Sequence, residues 1–78
     1  MIDRIRSALK GKEWHPFTIH RHGGESIRVN NRDQAWVSPY SRLVVEIAPG
    51  HIEILGQDQI TGVDISSVTF TEIQNQTG

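Results

Sequence analysis

From Pro16 to Ile65 the chain alternates between apolar and polar residues, and this two-residue rhythm constrains the fold more than any other feature of the sequence. Phe17 and Ile19, for example, alternate with Thr18 and polar neighbours. Successive side chains of an extended strand point to opposite faces, so the rhythm is typical of strands with one buried face. Turn-forming segments interrupt it about every 8–12 residues, as in small all-β domains. We therefore predict five or six short strands, with turns or breaks at 23–24, 30–33, 39–42, 48–50 and 56–59.

Residues 2–10 follow a different period. Ile2, Ile5 and Leu9 have the i, i+3, i+7 spacing of a single helical stripe, and Gly11 follows as a candidate C-cap. A helix this short is marginally stable alone. We therefore expect it to dock its apolar stripe on the strands that follow.

A chain of 78 residues forms one small domain. Short consecutive turns favour an antiparallel meander, and an open sheet of this size would leave two edges exposed to pairing. We therefore expect a mainly-β fold. It comprises an N-terminal helix on a five- or six-stranded bent antiparallel sheet, closed into an SH3-like or Sm-like small barrel. The domain should span residues 1–73, followed by a frayed tail at 74–78. The residues expected in the core are Ile5, Leu9, Phe17, Ile19, Ile27, Val29, Val37, Leu43, Val45, Ile47, Ile52, Ile54, Ile60 and Ile65.

Composition excludes several classes of function. The chain has no cysteine, which rules out disulfides, thiolate nucleophiles and Cys-ligated metals. It has no apolar run near 18 residues, so no membrane span or membrane partner is expected. The first six residues lack the apolar block of a signal peptide, which favours a cytoplasmic location. We expect no cofactor.

Charge is unevenly distributed along the chain. All eight lysines and arginines lie in residues 1–42, whereas residues 43–78 hold five acidic residues and no basic one. Such asymmetry indicates either an anionic partner for the first half or attraction between the halves, within the fold or head-to-tail between subunits. The net charge of -1 gives no bulk attraction to nucleic acid.

Two resemblances bear on these expectations. The pattern Pro16-Phe17-Thr18-Ile19-His20, a glycine turn, Trp36-Val37-Ser38-Pro39, His51-Ile52-Glu53-Ile54-Leu55 and Ile60-Thr61 resembles a group of short uncharacterised bacterial proteins, over residues 14–65. The order of helix, bent strands and a final strand, 3₁₀ turn and strand is also similar to the bacterial Sm-like RNA chaperones. RNA-binding members carry a basic, aromatic-rich signature in that last unit. Here residues 51–59 are acidic and lack lysine, so no binding residue is carried over.

His20 and His22 are candidate metal ligands. Residues i and i+2 of a strand share a face, so two imidazoles at this spacing can chelate zinc or nickel, with Glu25 or His51 as a third ligand. The alternative is two solvated histidines on a polar face, which needs no metal. Two histidines without cysteine or a fixed carboxylate spacing make a weak motif.

Catalysis has little support in the sequence. Serines, His51 and several carboxylates are present, but there is no nucleophile elbow, and so small a domain has little room for a desolvated pocket. The Gly23-Gly24 pair lacks the basic and hydroxyl residues of a phosphate-binding loop, and a hairpin turn explains it. We therefore predict that the protein is not an enzyme.

Binding of RNA or single-stranded DNA is an alternative function. Small barrels bind single strands through basic faces with aromatic stacking platforms. Trp36 lies between two apolar residues, however, which fits a core or interface position equally well. The candidate nucleic-acid-binding residues are Arg21, Arg28, Arg32, Arg42, Trp36 and Tyr40.

The favoured function is a non-catalytic interaction or assembly module. Apolar residues on the outer faces of neighbouring strands form patches, and patches mark interfaces. Exposed strand edges also offer main-chain pairing to a second chain. We therefore expect a protein partner or a homo-oligomer. The residues placed on the outer phase are Val44, Leu55, Ile73 and Trp14.

Overall fold

The computed structural model describes residues 1–65 and 68–71. It is mainly β with one N-terminal helix, as predicted. The helix α1 (Ile2–Lys10) has the predicted bounds, and Gly11 ends it by donating its N–H to the carbonyl oxygen of Ser7 at 3.0 Å. Seven strands follow: β1 (Phe17–Arg21), β2 (Ile27–Val29), β3 (Ala35–Val37), β4 (Leu43–Ala48), β5 (His51–Leu55), β6 (Ile60–Ile65) and β7 (Val68–Thr71).

The strands form two antiparallel sheets. One has four strands in the order β2-β1-β6-β7, and the other has three in the order β3-β4-β5. Glycines permit two of the tight turns, since Gly23 and Gly50 have φ angles of +66° and +81°. Ser41 adopts the same left-handed region between β3 and β4, with φ of 62°.

The predicted barrel is wrong, because neither sheet closes among the described strands. The outer edge of β6 is occupied by β7, in a ladder that places Val63 opposite Phe70. The backbone N–H and C=O groups on that edge of β6 are thus paired with β7 and cannot pair with a strand of the other sheet to close a barrel. The two sheets also separate at the break predicted for residues 30–33, although a single bent sheet was expected. One turn of 3₁₀ helix (Arg32–Gln34) lies at this break, so β2 joins one sheet and β3 the other.

The side chain of Gln34 holds this corner. Its amide oxygen accepts from the backbone N–H of Asn30 at 2.8 Å, and its amide nitrogen donates to the carbonyl oxygens of Arg28 and Glu46, each at 3.0 Å. The amide thus links β2 to β4 and replaces backbone bonds that a continuous strand would make.

The core lies between the two sheets and α1. Eight of the predicted positions are buried, and four more (Leu9, Val37, Ile47 and Ile65) are partly buried against them. Three buried residues were missing from the predicted set: Ile2, Leu55 and Val63. The buried residues are Ile2, Ile5, Phe17, Ile19, Ile27, Val29, Leu43, Val45, Leu55, Ile60 and Val63.

The prediction of which β5 side chains point to the core is wrong. Ile52 and Ile54 face solvent, whereas Leu55 is buried opposite Leu43. Glu53 points inward, where its carboxylate meets the guanidinium of Arg21 from the other sheet. This ion pair allows a charged side chain to take an inward position, because each charge is neutralised by its partner. Leu55 and Trp14 were expected on the outer side. Both expectations are wrong, because Leu55 is buried and Trp14 packs on the core. Ile73 and the predicted tail at 74–78 lie outside the described residues.

Candidate functional site

The outer face of the three-stranded sheet carries a row of apolar side chains. Register places Trp36 opposite Val44 and Val44 opposite Ile54, so these three side chains stand side by side across β3, β4 and β5. Trp36 is 58% exposed and Ile54 is 61% exposed. Ile52 extends the row along β5 and is also exposed. We call Trp36, Val44, Ile52 and Ile54 the apolar face.

This face results from the phase of β5. Leu43 and Val45 of β4 are buried, so the residue between them points outward. Leu55 pairs with Leu43 and both point to the core. Strand alternation therefore places Ile54 and Ile52 on the outer side, with Val44. A row of apolar side chains across three adjacent strands, exposed on β3 and β5 and partly exposed on β4, differs from single exposed ones, which are ordinary on any surface.

Charges of opposite sign flank the apolar face along β4. Glu46 is exposed, points outward beyond Val44 and lies opposite Ile52. Arg42 is exposed at the other end, two residues before Val44, and its carbonyl oxygen accepts from the N–H of Ser38 at 2.8 Å. That bond continues the β3–β4 ladder, so strand alternation places Arg42 on the outer side as well. Along β4 the outer surface therefore changes from positive Arg42, through apolar Val44, to negative Glu46.

Three of the predicted nucleic-acid-binding residues make contacts within the fold. Arg21 is half-buried and pairs with Glu53 across the two sheets. Arg28, on the outer side of the same four-stranded sheet, donates to Thr18 Oγ1 at 3.0 Å and to an asparagine side chain. Arg32 donates through Nη1 to the carbonyl oxygens of Leu9 and Gly11, both at 2.7 Å. These three guanidiniums therefore do not share one open surface.

The other three predicted residues lie near the β3–β4 turn. Trp36 belongs to the apolar face, Tyr40 is exposed in the turn, and Arg42 follows it. The turn is fixed by Ser38, whose hydroxyl oxygen accepts from the backbone N–H groups of Tyr40 and Arg42. The structure therefore brings Trp36, Tyr40 and Arg42 to one end of the three-stranded sheet.

His20 and His22 have different surroundings: His20 is hydrogen-bonded within the fold, whereas His22 is exposed in a turn. His20 Nδ1 lies 2.9 Å from Ser26 Oγ, and Nε2 lies 2.8 Å from Asp64 Oδ2. Both ring nitrogens are thus engaged, one by the residue that precedes β2 and the other by a residue of β6. An irregularity in the β1–β6 register falls just after His20, and His22 is exposed in the turn beyond it. Within residues 1–65, no cluster of three or more histidine, aspartate or glutamate side chains is arranged to hold a metal.

A cleft of about 360 Å³ lies between α1 and β3. Sequence reasoning missed it, because α1 and β3 are distant in the chain. Three cationic side chains line it together with apolar residues from both elements. Among the described residues its lining includes no carboxylate and consists of Arg6, Leu9, Lys10, Arg32, Ala35, Trp36 and Val37.

Comparison with known proteins gives no match: no family model, curated protein or solved structure is significantly similar to this chain. Among the described residues, no helix has the length and apolar character needed to cross a membrane.

Proposed function

We propose that the protein is a non-catalytic assembly module that binds a second copy of itself through the apolar face. The observation that carries the proposal is the registered row of Trp36, Val44 and Ile54, in which exposed Trp36 and Ile54 flank half-buried Val44. Large aromatic and aliphatic side chains at the centre of a surface patch are typical of binding hot spots. Burial of this row in a dimer removes its apolar surface from water.

The charges along β4 favour a second copy over an unrelated partner. A two-fold axis running between two apolar faces, along the row of Trp36, Val44 and Ile54, sets the two β4 strands antiparallel. Arg42 of each copy then lies over Glu46 of the other. The interface is isologous, because the same patch contributes both halves of each contact. The outer surface of β4 is therefore self-complementary in charge as well as in polarity.

The proposal is tested by measuring mass against concentration for Ile54→Glu. The new carboxylate lies in the row along which the two-fold axis runs and would be desolvated against the same residue of the other copy, so the variant should stay monomeric. His22→Glu is the matched control, because it adds the same charge at an exposed turn of the other sheet. We expect the mass of the control to rise with concentration as in the unmodified protein. A mass that is independent of concentration in the unmodified protein, or unchanged by Ile54→Glu, contradicts the proposal.

Binding of RNA or single-stranded DNA is the second candidate, supported by the proximity of Arg42, Tyr40 and Trp36 to one turn. Such binding should weaken steeply with salt and fall on Arg42→Ala, because phosphate contacts release counterions. Fluorescence anisotropy with a labelled mixed-sequence oligonucleotide checks this. No change in anisotropy at low salt eliminates this candidate. A cytoplasmic location remains a prediction.

A further inference from the structure

We propose that the cleft between α1 and β3 binds an acidic peptide segment of a partner in extended conformation. This site goes beyond the proposed self-association. The two surfaces meet at Trp36, which belongs to the apolar face and also lines the cleft, but the other residues of the cleft lie outside that face. The proposal depends on three properties of the cleft: its charge, its apolar floor and the strand edge beside it. Each can be derived from the described residues.

The charge of the cleft comes from Arg6, Lys10 and Arg32. Arg6 and Lys10 lie four residues apart on one side of α1. Arg6 shares its charge with exposed Asp3 at 3.0 Å, a surface pair that is weak in water. Lys10 is exposed and makes no ion pair with any residue that the structure describes. Because the described lining residues carry three cationic groups and no carboxylate, the cleft attracts anionic groups.

The floor of the cleft is apolar. Leu9 of α1 and Val37 of β3 are only partly buried, and they contact the core from the cleft side. A cationic rim around an apolar floor fits a segment that alternates acidic and aliphatic side chains better than it fits a bare phosphate. An extended segment of that pattern presents aliphatic groups on one face and carboxylates on the other.

The third property is the edge of β3. Its described partner is β4 alone. The Ser38–Arg42 bond identifies one hydrogen-bonded pair of this hairpin, so alternation makes Trp36 and Val44 the next such pair. The backbone N–H and C=O groups of Ala35 and Val37 therefore point to the edge, and both residues line the cleft. An extended peptide can pair with such an edge as an added strand.

The test uses fluorescence anisotropy with a fluorescein-labelled pentapeptide of alternating glutamate and valine. Lys10→Glu should weaken its binding about five- to tenfold, because one attraction is replaced by one repulsion. Lys10→Gln removes the positive charge without placing an acid at the helix C-terminus, so it should weaken peptide binding less than Lys10→Glu does. Lys12→Glu is the matched control, since it makes the same charge change at an exposed residue outside the cleft. Binding to this variant should stay within about twofold of the unmodified protein.

Three further arms identify the occupant. The peptide with lysine in place of glutamate should not bind. Versions methylated at alternate backbone amides, one for each register, should include one that fails to bind, because strand addition needs those N–H groups. An oligonucleotide of thymidines should not compete. Equal losses from Lys10→Glu and Lys12→Glu, competition by the oligonucleotide, unimpaired binding of both methylated peptides, or no binding of the acidic peptide at millimolar concentration overturns the proposal.

The outcomes remain separable from those of the self-association test. Lys10 lies outside the apolar face, and Ile54 lies outside the cleft. Peptide binding by a monomeric Ile54→Glu protein would support this site even if self-association fails.

Discussion

Arg32 holds the C-terminal end of α1 against the rest of the fold. Its guanidinium donates to the carbonyl oxygens of Leu9 and Gly11, which are among those the helix leaves without partners. It also lies 5.5 Å from the centre of the Trp14 ring, whose indole N–H donates to the carbonyl oxygen of Asn30 at 2.8 Å. A cation at a helix C-terminus also interacts favourably with the helix dipole. One side chain therefore joins the helix to the corner between the sheets.

We predict that Arg32→Ala lowers the free energy of unfolding by about 2 kcal/mol, since charge-assisted hydrogen bonds and a cation–π contact are lost together. Urea unfolding followed by circular dichroism measures the change. Lys12→Ala is the control, because Lys12 is exposed and should have almost no effect. Equal stabilities of the two variants would show that Arg32 does not anchor the helix.

Glu53 contributes to stability in a pH-dependent way. The hydrogen bond from Arg21 holds the pKa of the Glu53 carboxyl below its ordinary value of 4.5, with further help from the charges of Arg21 and His51 and opposed by partial burial. A depressed pKa in the folded state means that the ionised carboxylate stabilises the fold. This contribution is complete above the ordinary carboxyl pKa and is lost as pH falls through the lower, folded-state value.

We therefore expect Glu53→Gln to lower the melting temperature at neutral pH, with a difference from the unmodified protein that shrinks as the solution is acidified below the ordinary carboxyl pKa. Comparing the two proteins at each pH isolates Glu53 from the other carboxylates. Thermal unfolding across the acidic range measures the difference. A difference that stays constant with pH would contradict the assigned role of the Arg21–Glu53 pair.

Strand β5 shows where local pattern misleads. In His51-Ile52-Glu53-Ile54-Leu55 the two isoleucines alternate with polar residues, which predicts that they point inward. The ladder with β4 and the ion pair with Arg21 reverse that phase. The partner of Glu53 lies 32 positions earlier in the chain, so no window of neighbouring residues contains it. Leu55 then supplies the buried side chain of this strand.

The reversed phase predicts unequal effects of two matched substitutions. Leu55→Ala should lower the free energy of unfolding by about 2–4 kcal/mol, because it leaves a cavity in the core. Ile54→Ala should change it by less than about 0.5 kcal/mol, because the side chain is mostly exposed. Chemical unfolding of both variants at a concentration where the protein is monomeric makes the comparison. A larger loss of stability from Ile54→Ala than from Leu55→Ala would show that Ile54 points inward, as the sequence pattern predicts.

The remaining elements differ in how far the sequence determines them. Helix α1 was predicted to the residue, because its stripe and Gly11 are local signals. The break between β2 and β3 was predicted, but their assignment to different sheets was not, because the corner depends on hydrogen bonds from the Gln34 amide to carbonyl oxygens of β2 and β4. The failure of barrel closure was not predicted either, because β6 lies between β1 and β7, and its pairing with β1 joins residues that are distant in the chain.

In the whole molecule, two open sheets leave different surfaces. The four-stranded sheet presents polar side chains outward, with Thr18, His20 and Arg28 joined to neighbours by hydrogen bonds. The three-stranded sheet presents the apolar face. An interaction surface was predicted from sequence, and Val44 was placed on the outer phase, but Ile52 and Ile54 were assigned to the core. The surface appears only once the phase of β5 is known.

The most direct test of self-association is the mass of a mixture of two charge variants, Arg42→Glu and Glu46→Arg, measured by light scattering. Glu46 also accepts from the backbone N–H of Gly50 at 3.0 Å, so circular dichroism first confirms that both variants fold. Each variant alone places like charges over each other across the two-fold axis and should remain at the 8.8 kDa of one chain. Mixed in equal amounts, they restore both opposite-charge contacts and should approach twice that mass. A mixture that stays at the mass of one chain, or variants that each dimerise alone, would contradict the proposed assembly.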